Sequence, residues 1–293
     1  VNPAALAPDS TVAIVVARNE QRLLPAFLRH YRRLGISRFA IVDDASTDGT
    51  GAYLAEQPDV DLWTSSLRYA EAGRGRLWRE HLFTHYGRHR WYLIVDADEF
   101  LIFDGSDRGI DIATVIGRLE QRGISRLAAP MIDAYPEGPL ASAILDGTDS
   151  TMPWEIATHV DAIGYTLTRG RTALELLGGV RRRLFGSGAE LMKYPLMRVD
   201  DACGIGISIH RPIASPQNFT GIFGALLHFK LLADTLARAE DAVADKQYYR
   251  DAREYQKFLD QRQIFETSAM FEGSMTIGPT SEFVDRGFFL PIP

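Results

Sequence analysis

Cysteine is nearly absent from this chain: Cys203 is the only one in 293 residues. An internal disulfide is therefore excluded, a reducing compartment fits, and the lone thiol reads as a small buried side chain rather than a nucleophile. Long apolar runs are missing too. No stretch approaches the ~20 residues that span a bilayer, and the opening residues VNPAALAPDS have neither a basic n-region nor an apolar h-region. A cytoplasmic protein is expected, with membrane contact limited to peripheral docking at the inner face. Positive charge is not in excess. A net charge of −6 leaves no footprint for nucleic acid, although basic residues gather at Arg74 to Arg79 and Arg181 to Arg183.

What is present is a length sufficient for one large α/β domain, organised around WYLIVDADEFLIF, Trp91 to Phe103. Its uncharged, β-branched and aromatic start reads as a strand buried on both faces, and it ends in Asp96, Asp98 and Glu99. In an extended segment Asp96 and Asp98 project to the same side, and Ala97 leaves room for an approach to the backbone. Carboxylates at that spacing repel one another, so a hard cation such as Mg²⁺ or Mn²⁺ is the expected remedy.

Upstream, Thr11 to Ala17 reads as a first strand, Glu20 to Leu34 as a helix closed by Gly35, Phe39 to Val42 as a second strand, Thr50 to Glu56 as a helix, and Val60 to Thr64 as a third strand. This alternation predicts a parallel, right-handed, doubly wound sheet. The strand ends carry Arg18 to Glu20 and DDASTDGT, where Asp43 or Asp44 can accept from a base or ribose, and open α/β sheets bind ligands at such ends. Arg74 to Tyr86 has helical composition, with Arg74, Arg76 and Arg79 near its start as phosphate candidates. Downstream, Ile110 to Gln121 reads as a helix, Arg126 to Ile132 as a strand, Asp133 to Thr158 as a long irregular acceptor loop, GGVRRRLFGSG as a basic turn, Ile205 to Ile209 as a short strand, Leu231 to Glu266 as helical with Tyr248, Tyr249, Tyr255 and Phe258 interleaved, and Gly273 to Pro293 as irregular. A histidine in an apolar setting, such as His228, is ordinarily a satisfied core residue.

ARNE after the first strand, VDDASTDGT after the second and a strand running into DADEF, taken in this order, resemble nucleotide-sugar-dependent glycosyltransferases of the GT-A fold, family 2-like. GGVRRRLFG, KYPL and LLHFKLL resemble a bacterial branch of that group. The resemblance implies an α/β GT-A (Rossmann-like) fold with a mixed, mostly parallel central sheet flanked by helices. It implies a catalytic domain over 1–230, divided into a nucleotide-binding half (1–104) and an acceptor-binding half (105–230), with 231–293 a helical extension packed on the same domain. Ala17, Arg18, Asn19, Glu20, Asp43, Asp44, Arg74, Arg79, Asp96 and Ala97 are then nucleotide-binding. Asp96, Asp98 and His228 are metal ligands for Mn²⁺ or Mg²⁺, with His210 the fallback, and Arg181 and Arg183 steady the diphosphate.

The implied reaction is inverting, non-processive transfer from a nucleotide-diphosphate sugar, first of all a UDP-sugar, to a hydroxyl of a glycan, glycolipid or other glycoconjugate, as in bacterial polysaccharide biosynthesis. The family's ED and QxxRW motifs are not visible. The catalytic base is therefore open among Glu99, Asp133, Glu155, Glu190, Asp200 and Asp201, with Glu190 favoured by its distance from the arginine-rich turn and Asp201 the alternative. A degenerate nucleotide- or sugar-binding module and a sugar-1-phosphate nucleotidyltransferase are the rival readings; the second wants a Gly-rich, Arg-containing loop after the first strand, which ARNE is not. The helical C-terminal part leaves homodimerisation or membrane docking open.

Overall fold

The computed structural model describes residues 6–7, 10–148, 150–206, 208–247 and 252–292. Its first half is a repeated strand–helix unit: β1 (Val12–Ala17), α1 (Leu24–Arg33), β2 (Arg38–Asp43), α2 (Thr50–Ala55), β3 (Val60–Thr64), α3 (Arg76–Tyr86) and β4 (Arg90–Asp96). The strands pair in parallel in the order β3-β2-β1-β4, as the alternation predicts. β1 and β4 are apolar along nearly their whole length because both faces are covered, and the polar residues are displaced to the strand ends. In α1, Pro25 sits in the first turn, where its missing N–H costs nothing, and Leu24, Phe27, Leu28 and Tyr31 form the buried face. Gly35, at φ 89°, ends it.

The second half holds β5 (Glu99–Ile102), α4 (Ile112–Glu120), β6 (Arg126–Tyr135), β7 (His159–Asp161), β8 (Tyr165–Arg169), β9 (Leu174–Gly178), α5 (Gly179–Phe185), β10 (Met192–Val199), β11 (Ala225–His228), α6 (Thr235–Asp245), α7 (Arg253–Asp260), β12 (Ser274–Thr276) and α8 (Thr280–Asp285). β10 inserts antiparallel between β4 and β6 and so joins the two halves in one sheet. β11 lies parallel to β6 and antiparallel to β5, with His228 opposite both Glu99 and Asp133. β8 and β9 form a separate hairpin. The main core runs under this sheet, while a smaller cluster of Tyr135, Val180, Phe185, Tyr255, Phe258 and Phe265 fastens α5 to α7. Each fully buried phenylalanine there contributes about 1.5–3 kcal/mol.

Several expectations are corrected. The basic stretch 178–186 is not a turn but the helix α5, which places Arg182 and Arg183 in its last turn, where cations suit the helix dipole, and closes at Gly186, φ 61°. The described part of 205–209 forms no strand; the bridge Gly204 to Ile213 flanks it, the Ile209 carbonyl accepts from Tyr194 N–H at 3.2 Å, and Gly206 stands at φ 61°. The tail is not irregular throughout, because Phe283 and Phe289 are buried and draw β12 and α8 onto the core. The long loop begins only after β6, which extends to Tyr135, and contains two 3₁₀ turns, Leu140–Ser142 and Pro153–Glu155. Tyr248 and Tyr249 lie outside the described residues. Among the described residues no helix is long and apolar enough to cross a membrane.

Candidate functional site

The loops after β1 and β2 are bolted together at the carboxyl edge of the sheet. Arg18 donates to the carbonyls of Asp44 (2.6 Å) and Ala45 (2.7 Å), Asn19 N–H donates to Ser46 Oγ (2.9 Å), and Glu20 N–H donates to Thr50 Oγ1 (2.9 Å). Asn19 Oδ1 in turn accepts from Thr47 N–H (2.8 Å). Asn19 and Ala45 both adopt left-handed backbone, near φ 55°, which bends the two loops toward each other. Asp43 accepts from Ser46 N–H at 3.0 Å, and Asp44 is buried against Arg68 at 3.0 Å. The expected nucleotide residues of β1 and β2 therefore lie side by side. Glu20 is buried with its Oε2 unpartnered; burial raises its carboxyl to about 7 against the opposing pull of Arg238.

At the end of β4 the acids do not continue as a strand. Ala97 and Asp98 make a turn, closed where Glu99 Oε2 accepts from Asp96 N–H at 3.1 Å, so Asp96 and Asp98 diverge instead of projecting together. Asp96 turns to Lys193 (2.8 Å) and Arg79 (3.7 Å). Although burial pushes the other way, these two cations hold its carboxyl below the usual carboxylate range. Asp98 turns to His228 Nε2 (3.3 Å) and Lys230 (3.9 Å). Burial opposes its charge, yet His228 and Lys230 hold it well below the ordinary value. Glu99, 1% exposed, pairs with Lys193; burial raises its carboxyl despite that partner.

Behind this group runs an ordered relay. His228 Nδ1 meets Asp133 Oδ1 at 2.5 Å, and Asp133 Oδ2 accepts from Arg181 Nε at 2.8 Å. Burial opposes the Asp133 charge, but Arg181 and His228 lower its carboxyl to about 2. Burial likewise disfavours an imidazolium at His228, and Asp98 and Asp133 together outweigh it, raising the group to about 9.

Among the described residues, the group that could hold a metal is Asp98, Glu99 and His228, whose ligand atoms lie within 4.8 Å of one another. The donor set fits a divalent ion: two carboxylates and an imidazole whose other nitrogen is fixed by a carboxylate, the arrangement that orients metal-binding histidines. A metal on Nε2 would take the place of the proton that the imidazole otherwise holds. This group shares Asp98 and His228 with the triad the resemblance implies and holds Glu99 where the triad has Asp96; Lys193 reaches both Asp96 and Glu99.

Other expected site residues are placed elsewhere. Asp201 is 85% exposed beside His89, and Val199 pairs with Arg90, so Asp200 and Asp201 follow at the amino end of β4. A seven-residue strand separates them from the acids, about 20 Å, too far for Asp201 to serve as base there. Glu190 accepts from the N–H groups of Leu176 (2.9 Å) and Met192 (3.2 Å) and braces the corner between β9 and β10. Arg183 pairs with Asp161 and lies over the Phe271 ring, and Arg181 pairs with Asp133 while its Nη2 is buried without a hydrogen-bond partner. His210 meets the Met192 carbonyl at 2.6 Å and is not part of the metal group; burial, with Lys193 nearby, lowers it to about 4. Arg79 is buried near Asp96, whereas Arg74 and Arg76 are exposed, with Arg74 at φ 59° and its carbonyl accepting from Arg79. Ala97 is buried in the turn.

Sequence reasoning passed over Lys193, Lys230 and Arg238. Lys193 carried a signal: an ionisable residue inside the apolar run of β10 must have a buried partner.

No protein-family model and no curated protein matches this chain. Among solved structures, a 4-diphosphocytidyl-2C-methyl-D-erythritol synthase aligns over 97% of this chain and 99% of its own at 14% identity, with a TM-score of 0.31. HddC from Yersinia pseudotuberculosis aligns over 78% of this chain and 97% of its own at 8% identity, with a TM-score of 0.36. At these scores the likeness carries no argument, and the architecture rests on the chain's own topology: an α/β protein with a Rossmann-like arrangement of strands and helices.

Proposed function

We propose that this chain is a metal-dependent GT-A-type glycosyltransferase that moves a sugar from a nucleotide-diphosphate donor, a UDP-sugar first of all, to a hydroxyl of a glycan or glycoconjugate. The observation that carries the reading is the Asp98, Glu99 and His228 group at the carboxyl end of β4, beside the interlocked loops after β1 and β2. Residues 1–230 form the catalytic domain in this reading, with 231–293 its extension. Ala17 to Glu20, Asp43 and Asp44 receive the nucleoside, and Asp98, Glu99 and His228 hold Mn²⁺ or Mg²⁺. A bound divalent ion supplies Lewis-acid stabilisation of the departing diphosphate. Arg79 and Lys230, each within 4 Å of one of the acids, add fixed positive charge where the leaving group becomes more negative.

Calorimetric titration of UDP, GDP, CDP and ADP, in Mn²⁺ and again in chelator, tests this. One nucleoside diphosphate should bind only with metal, and Asp98→Asn should abolish that binding while the fold is retained. Equal binding in chelator, or full affinity in the variant, refutes it. Turnover of a nucleoside triphosphate with a sugar 1-phosphate would make the chain a nucleotidyltransferase, and nucleotide binding without transfer or donor hydrolysis would make it a binding module.

A further inference from the structure

Helix α6 lies across the strand ends that the proposed function assigns to the nucleotide, and ion pairs at both of its ends tie it to the loops there. Its N-cap Asp234 pairs with Arg22, and Arg238 pairs with Glu20. At its other end Asp245 Oδ2 sits between Arg18 Nε (3.2 Å) and Arg68 Nη2 (2.9 Å), while Gln247 accepts from Ala70 N–H (3.2 Å). These contacts reach the loops after β1 and β3, and Arg68 also carries Asp44 of the loop after β2. Its apolar residues Leu236, Ala239, Ala242 and Val243 pack in the second core cluster with Tyr255 and Phe258 of α7, while ion pairs join the helix to the strand-end loops. The closed arrangement also leaves Glu20 Oε2 and Arg22 Nε and Nη2 buried without hydrogen-bond partners, polar atoms that closure desolvates and does not satisfy.

We infer that α6 is a displaceable lid on the nucleotide pocket, and that the Asp245 carboxylate stands where an anionic group of the nucleotide meets Arg18 and Arg68. Nucleotide and lid then compete for the same two arginines. The inference rests on the nucleotide reading above. When the pocket is closed most of the time, apparent affinity falls in proportion to the open fraction. Weakening the latch therefore tightens binding.

The test uses the full chain with Asp245→Asn, and with Asp241→Asn as a control that removes the same charge from an exposed position of the same helix. Amide hydrogen exchange without nucleotide reads the latch itself. Asp245→Asn should speed exchange over 235–247 about fivefold with β1 and β4 unchanged, and Asp241→Asn should not, in keeping with the loss of part-exposed ion pairs. Calorimetry with UDP and its comparators in Mn²⁺ reads the competition: the nucleotide that binds the wild type should bind Asp245→Asn about fivefold tighter, and saturation should deprotect 235–247 in the wild type. Unchanged or weaker affinity in Asp245→Asn, or α6 amides that stay protected at saturation, overturns the lid and leaves the nucleotide reading standing. Binding of no nucleotide to either protein overturns both.

Discussion

Replacing Lys193 with Met removes the cation that, among the described residues, pairs with both Asp96 and Glu99. Lys193 is 5% exposed and Glu99 1%, so the substitution strands a buried carboxylate, while Asp96 keeps Arg79 and a half-open path to water. Breaking a buried pair from one side costs about 3–5 kcal/mol, which in a chain of this size lowers Tm by roughly 10 °C. The cost depends on pH in a direction that can be worked out. The Glu99 carboxyl is already raised in the folded protein by burial against the pull of Lys193, and the variant raises it further. An acid whose folded pKa exceeds its unfolded one takes up a proton on folding, so its contribution favours the fold at low pH and is lost as pH rises through the folded pKa. The deficit of Lys193→Met should accordingly widen from pH 5 to pH 8, at no more than about 1.4 kcal/mol per unit. Thermal melts of wild type and variant across that range, in chelator, measure it. Adding Glu99→Gln should restore most of the lost stability, because the buried charge is then gone. A deficit independent of pH, or a double variant no better than Lys193→Met, would refute this account of the acid group.

Asp133→Asn should weaken Mn²⁺ binding about 10–100-fold by releasing His228 from its fixed orientation, read by metal titration, and should lower Tm because Arg181, 6% exposed, loses its charged partner. Gly178→Ala should fail to fold or melt far below wild type, since a Cβ there would sit 2.3 Å from the Gly164 carbonyl at φ 140°; circular dichroism melts decide it. Tyr31→Phe should cost about 1–3 kcal/mol in denaturant unfolding, because its hydroxyl donates to the Glu99 carbonyl and accepts from Leu101 N–H, both at 2.9 Å and buried.

The parallel half was legible because its signals are local. A short apolar run ending in polar residues, followed by a helical period closed by glycine, defines each unit by itself, and Val60–Thr64 was read to the residue. Elsewhere the decisive contacts come from far along the chain. That Asp96 and Asp98 diverge depends on Lys193, 97 residues beyond Asp96, and on His228, so an alternation rule applied to DADEF alone placed them on one side. Glycines around three arginines suggested a turn; the helix forms there because Val180 and Phe185 have the second core cluster to bury against. The candidate histidine was found by resemblance. The relay behind it, through Asp133 and Arg181, has no local pattern, since its members come from three separate elements.

That dispersal bears on how the protein assembles. His228 reaches Asp133 from 95 residues away, and Arg238 reaches Glu20 from 218 residues away. Closing such loops is slow and brings no reward until the far strand docks. The acid group is therefore completed only when β11 slots between β5 and β6, and an early folding species with its first four strands paired would hold Asp98 and Glu99 without their imidazole. In the proposed function, metal capture would then mark the last stage of folding, and ion affinity would report the finished fold.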